Sequence, residues 1–123
     1  MKFRILLGAV LAIAPLSSVA AMPVATFLQK ADRLEKKGPL ALFSGDLKLL
    51  TNQIKADFGS LRSERLATKA AGKPTAWCPP EKVAMTDKDV MGAMRAVPPA
   101  ARAQTDTRAA LRAMLIRRYP CKS

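Results

Sequence analysis

Residues 47–61 read LKLLTNQIKADFGSL. Leu47, Leu50, Ile54, Phe58 and Leu61 recur at steps of three and four, the spacing of one face of an α-helix. Lys48, Asn52, Lys55 and Asp57 fall mostly off that face. Ser44-Gly45-Asp46 just upstream is a start signal, since a hydroxyl or carboxylate there accepts from backbone N–H groups that a first turn leaves free. Downstream the helical pattern runs through Arg62, Arg65 and Leu66 to about Ala71, where Gly72-Lys73-Pro74-Thr75 breaks it. Gly59 weakens the helix by about 1 kcal/mol relative to alanine, and marks either a bend or a close helix crossing.

Toward the N-terminus, Val24 to Lys37 is a second amphipathic helix, with Phe27, Leu28, Ala31 and Leu34 on one face. Pro23 suits its first turn. Gly38-Pro39 ends it, because glycine accepts the left-handed cap and proline cannot continue the ladder. Leu40 to Phe43 is a short apolar turn or 3₁₀ piece. Toward the C-terminus, Trp77-Cys78-Pro79-Pro80 is extended. Thr86 caps a third helix, in which Asp87 and Asp89 complement the positive end and Val90, Met91, Met94 and Val97 face inward; Pro98-Pro99 closes it. Thr105-Asp106-Thr107 opens a last helix with Leu111, Met114 and Leu115 on its inner side, stopped by Tyr119-Pro120-Cys121. No stretch alternates convincingly enough for a strand. The expected fold is all-α, a small four- to five-helix domain with one disulfide.

Residues 1–21 read as a secretory signal peptide: Lys2 and Arg4, an apolar run from Ile5 to Leu16, then Ser18-Val19-Ala20-Ala21 as the cleavage region. The run is shorter than the ~20 apolar residues a permanent span requires. The other readings are an uncleaved anchor or a true start at Met22. Cleavage near residues 20–21 places a single helical domain, 22–123, in the periplasm or outside the cell. There Cys78 and Cys121 are expected to pair with each other; an unpaired thiol or a bond between chains are the alternatives. The whole chain carries +12, and without Lys2 and Arg4 nineteen basic residues face nine acidic ones. Such a charge draws anionic partners in a salt-dependent way. Outside the cytoplasm these are an acidic protein, cell-wall polymer or lipid headgroups rather than nucleic acid.

The chain holds no histidine, which removes the commonest general base and metal ligand. Two cysteines 43 positions apart make no zinc site, and the scattered glycines make no phosphate loop. Asp87 and Asp89 are the nearest carboxylate pair, and capping explains them better than catalysis. No catalytic residue, metal or cofactor is expected. Met85, Met91, Met94 and Met114 either fill the core or line an adaptable groove. Trp77 packs over the disulfide or serves as an exposed anchor for a partner. Arg95, Arg102, Arg108, Arg112, Arg117 and Arg118 are candidates for one basic surface across the last two helices. Trp77, Arg108, Arg112, Arg117 and Arg118 are the partner-binding candidates.

The frame from Trp77 to Lys122 resembles the Rap/Tai family, the immunity proteins that protect bacteria against amidase toxins delivered by type VI secretion. It consists of Cys78-Pro79-Pro80, a helix from Thr86 that ends at proline, a connector, and a last helix closing on Tyr119-Pro120-Cys121. The half before Trp77 departs from the family pattern. The resemblance implies an all-helical periplasmic domain, commonly dimeric, that occludes a partner protein. An acidic effector or hydrolase is the partner expected, since the basic charge steers the chain toward an acidic surface. It carries over no binding residue, because the matching positions are structural cysteines and prolines. The competing expectation is a basic envelope protein that binds anionic wall or lipid surfaces through its arginines.

Overall fold

A computed structural model describes residues 21–122. The leader expected over residues 1–21 lies outside the described residues except for Ala21. Four helices follow in order: α1 (Val24–Lys37), α2 (Gly45–Ala70), α3 (Asp87–Arg95) and α4 (Thr107–Arg118). Short 3₁₀ turns occupy Gly38–Phe43 and Pro99–Ala101. Among the described residues there is no strand, only an isolated bridge between Pro23 and Asp106. The fold is therefore all-α, as the spacing of apolar residues requires.

Each helix begins and ends where local chemistry sets it. Gly38 takes φ 56° at the end of α1, a conformation that favours glycine. The Ser44 hydroxyl accepts from the Asp46 N–H at the start of α2 (3.3 Å). At α3 the Thr86 hydroxyl accepts from the Asp89 N–H, and the Asp89 carboxylate accepts from the Thr86 N–H, a complete reciprocal cap. The Asp106 carboxylate accepts from Ala109 N–H (2.7 Å) at the start of α4. Arg102 closes the far end of α3 by donating to the carbonyls of Val97 (2.9 Å) and Arg95 (3.1 Å).

All four helices and Trp77 share one core: Val24, Phe27, Leu28, Ala31 and Leu34 from α1, Leu50 and Leu61 from α2, Ala93 and Met94 from α3, and Ala110, Leu111, Met114 and Leu115 from α4. Leu47, Ile54 and Phe58, the rest of the α2 stripe, pack half-buried against it. The chain enters this body at Met22, whose carbonyl accepts from Thr107 N–H (2.8 Å), while Val24 N–H donates to the Thr105 carbonyl (2.8 Å). One sequence expectation is corrected and another is narrowed. Asp57 lies inside the fold, 6% exposed, because it sits one turn from Leu61 on the inner face. Gly59 marks no close crossing, since a side chain built there meets nothing within 4 Å.

Candidate functional site

With 26 residues, α2 is about 39 Å long, far longer than its neighbours. Its C-terminal half lies beside α4. Asp57 pairs with Thr107, Ser60 with Arg108 and Glu64 with Arg112. The register rises along both helices, so they run parallel. Beyond Ala70 the chain leaves helical structure and returns through residues 71–86 along the same flank. Cys78 fixes this return: its N–H donates to the Tyr119 carbonyl (2.8 Å), and its sulfur is bonded to Cys121, with Cα atoms 4.9 Å apart. The expected intramolecular disulfide is thus present.

Between α2 and this returning segment lies a groove of about 800 Å³. Phe58, Leu61, Trp77 and Leu115 form its floor, and Pro79, Pro80, Val83 and Met85 its far wall. Arg62, Arg65 and Lys69 stand along the α2 rim and Lys82 opposite, with Glu81 the single acid among them. Within the described residues none of these four cations forms an ion pair. A shallower depression continues from Arg65 and Lys69 past Lys73 to the exposed disulfide. Apolar floor and unneutralised cationic rim together suit a ligand surface that is part apolar and part anionic.

The α2 sequence explains the arrangement. Phe58, Arg62, Arg65 and Lys69 follow one another at steps of four, three and four, so they share a helix face. The apolar stripe of the first half becomes a cationic stripe without a change of phase. That change of chemistry at constant period was the available signal, and reading residues 62–71 only as a continuation of the helix missed it.

Of the partner-binding candidates read from sequence, only Trp77 lines the groove. Trp77 is 4% exposed; it is part of the floor and core rather than a free anchor. Arg108 donates to the Ser60 hydroxyl (2.9 Å) and Arg112 to the Glu64 carboxylate (2.6 Å), both spent on holding α4 to α2. Arg118 points the other way, toward Asp89 (3.1 Å), the Met85 sulfur and the Tyr119 ring. Arg95 reaches Glu35 (3.5 Å). Arg117 alone of the four on α4 is exposed without an ion pair among the described residues. The arginines of α3 and α4 do not converge into one surface, because positions 108 and 112 share the face turned to α2 while 117 and 118 point to other sides of a helix with 3.6 residues per turn. Met94 and Met114 are buried and Met85 and Met91 pack half-buried against the core, so the methionines serve mainly as core.

Among the described residues Asp89 is the one group whose titration is clearly displaced. The Thr86 backbone N–H, then the Thr86 hydroxyl and the Arg118 guanidinium, hold its carboxyl below the usual carboxylate value. It belongs to the α3 cap and not to the groove. The chain matches no protein-family model, no curated protein and no solved structure.

Proposed function

We propose that this protein is a secreted or periplasmic binding protein without chemistry of its own, akin to the type VI amidase immunity proteins, that docks on a partner protein and occludes it. The observation that carries this reading is the groove between α2 and residues 77–85, apolar below and lined by four cations without ion pairs among the described residues. A partner segment presenting an apolar anchor flanked by Asp or Glu fits that surface, with the charges steering approach and the floor supplying desolvated contact. The Cys78–Cys121 bond supports an oxidising compartment. The cysteine-proline frame, which resembles the Rap/Tai pattern, supports the occluding role.

The test is capture from envelope extract on the immobilised, oxidised protein, beside an Arg62→Glu/Arg65→Glu variant. One protein in stoichiometric amount should survive a high-salt wash on the wild type and be lost from the variant. The same protein, purified, should lose its own activity when the wild type is added. A partner held equally by both proteins, or only a mixture of acidic species that washes away with salt, would overturn the reading.

A further inference from the structure

The turn Gly38–Phe43 presents its large side chains to solvent: Leu40 is 70%, Leu42 76% and Phe43 88% exposed. Leu49, just inside α2, is 45% exposed. Ala41 alone packs inward against the core. The turn is nevertheless preformed. Gly38 reverses the chain at φ 56°, Pro39 fixes the next φ, and Ser44 N–H donates to the Ala41 carbonyl (3.0 Å). A stiff apolar knob therefore projects where α1 meets α2.

The unpaired charge beside the knob is positive among the described residues. Lys36 and Lys37 end α1 and Lys48 opens α2, all three exposed; Lys37 also reaches back across the turn to the Ser44 hydroxyl (3.3 Å). The two nearest acids are answered by other elements, Glu35 by Arg95 and Asp46 by Lys30; Asp32 lies a further turn back along α1. Exposed leucine and phenylalanine ringed by lysine match the layered chemistry of a bilayer surface. Apolar side chains enter the headgroup–acyl boundary while lysine stems extend to the phosphates. A second copy of the chain would bring the same lysines against themselves.

We propose that Leu40, Leu42 and Phe43 insert into an anionic phospholipid membrane, with Lys36, Lys37 and Lys48 on the headgroups. No described helix is long and apolar enough to cross a membrane, so the contact is interfacial. The knob precedes the start of α2, and Arg65 lies twenty residues along that helix, a separation of about 30 Å. Membrane contact thus leaves the groove free, and this inference stands or falls separately from the partner reading.

The test uses the oxidised protein with vesicles of phosphatidylethanolamine and phosphatidylglycerol, and with phosphatidylcholine vesicles for comparison. Trp77 is the only tryptophan and is buried, so a Phe43→Trp variant reports on the knob once the wild-type signal is subtracted. Its emission should shift to the blue on the anionic vesicles alone. Leu42→Ser/Phe43→Ser should weaken vesicle binding by about tenfold or more, as loss of inserted apolar area demands, with the circular dichroism of the wild type. Arg62→Glu/Arg65→Glu should still shift when combined with Phe43→Trp. Absence of binding would overturn the proposal. So would binding that survives the double serine substitution and disappears only in Lys36→Gln/Lys37→Gln/Lys48→Gln, which is adsorption by charge. A double serine variant that changes oligomeric state and not vesicle binding would assign the knob to a second copy instead.

Discussion

Asp57 shows how one charged side chain can be structural in a protein this basic. It is 6% exposed and accepts from Gln53 Nε2 (3.1 Å) and from the Thr107 hydroxyl (2.5 Å), while Thr107 is wholly buried. Asp57→Ala leaves both donors without a partner inside the fold, and we expect a loss of about 3 kcal/mol, two unsatisfied buried groups at 1–3 kcal/mol each with partial relaxation. Chemical denaturation measures it. Asp57→Asn, which keeps an acceptor, should cost less, and Asp57→Ala/Thr107→Val should cost less than the two single changes together because they share one contact. A loss below about 0.5 kcal/mol for Asp57→Ala, the range of ordinary surface changes, would mean that water replaces the carboxylate. Helical period alone places Asp57 with Leu50, Ile54 and Leu61; the charge of its side chain argued it onto the outer face. What makes its burial tolerable is Thr107, fifty positions away, and no local pattern announces such a partner. Trp77 is the converse. Its two readings were both consistent with the neighbouring Cys78-Pro79-Pro80, and only the meeting of α2 and α4 beneath it decides for burial.

Among the elements, boundaries were readable wherever capping chemistry marks them. The expected Val24 to Lys37 helix is α1 to the residue, and the Ser44-Gly45-Asp46 start and the Ala71 end of the longest helix fall within one residue of α2. Helix α3 has only nine residues, fewer than an isolated helix needs in water, so it depends on its cap and on packing. Thr86→Ala should cost about 1 kcal/mol, the usual cost of losing an N-cap side chain. The Asp89 half of the cap is pH-dependent. Its carboxyl titrates below the usual value in the folded state, so its contribution is fully present above the unfolded value of about 3.9 and is lost as pH falls through the lower folded value. The stability difference between wild type and Asp89→Ala should therefore be constant near neutrality and shrink only in strong acid. A difference that already shrinks between pH 5 and 7 would place the dependence on another group. Gly59 gives an opposite sign. With nothing near its missing side chain, Gly59→Ala should stabilise by up to about 1 kcal/mol, and destabilisation would reveal an approach to α2 that the fold does not show. The groove rim escaped the sequence reading for a related reason. Arg62, Arg65 and Lys69 look like an ordinary solvated helix end, and become a site only when residues 77–85 return beside them.

For the molecule as a whole, the disulfide connects stability to the proposed site. The core contains one tryptophan and one phenylalanine among its buried side chains, and residues 71–86, which form one wall of the groove, have no helix of their own. They are held by the burial of Trp77, the Cys78 N–H bond to Tyr119 and the Cys78–Cys121 bridge. The bridge was legible because two cysteines have one intramolecular pairing, and a first stretch that reads as a secretory leader makes an oxidised pair the expectation. The groove beside it was not, because its depth arises from a contact between segments distant in sequence. Closing a loop between positions 43 apart is worth about 4 kcal/mol in the chain-entropy model, so Cys121→Ser or reduction should lower the melting temperature by many degrees. The loss should not be uniform. Amide hydrogen exchange should show residues 73–85 opening first on reduction, while α1 and the first half of α2 keep their protection until global unfolding. Capture of a partner through the groove should weaken in the same conditions, before the helices melt. A melting shift of only a degree or two, with protection of the Cys78 amide unchanged, would mean that the burial of Trp77 holds the wall and that the bridge is dispensable.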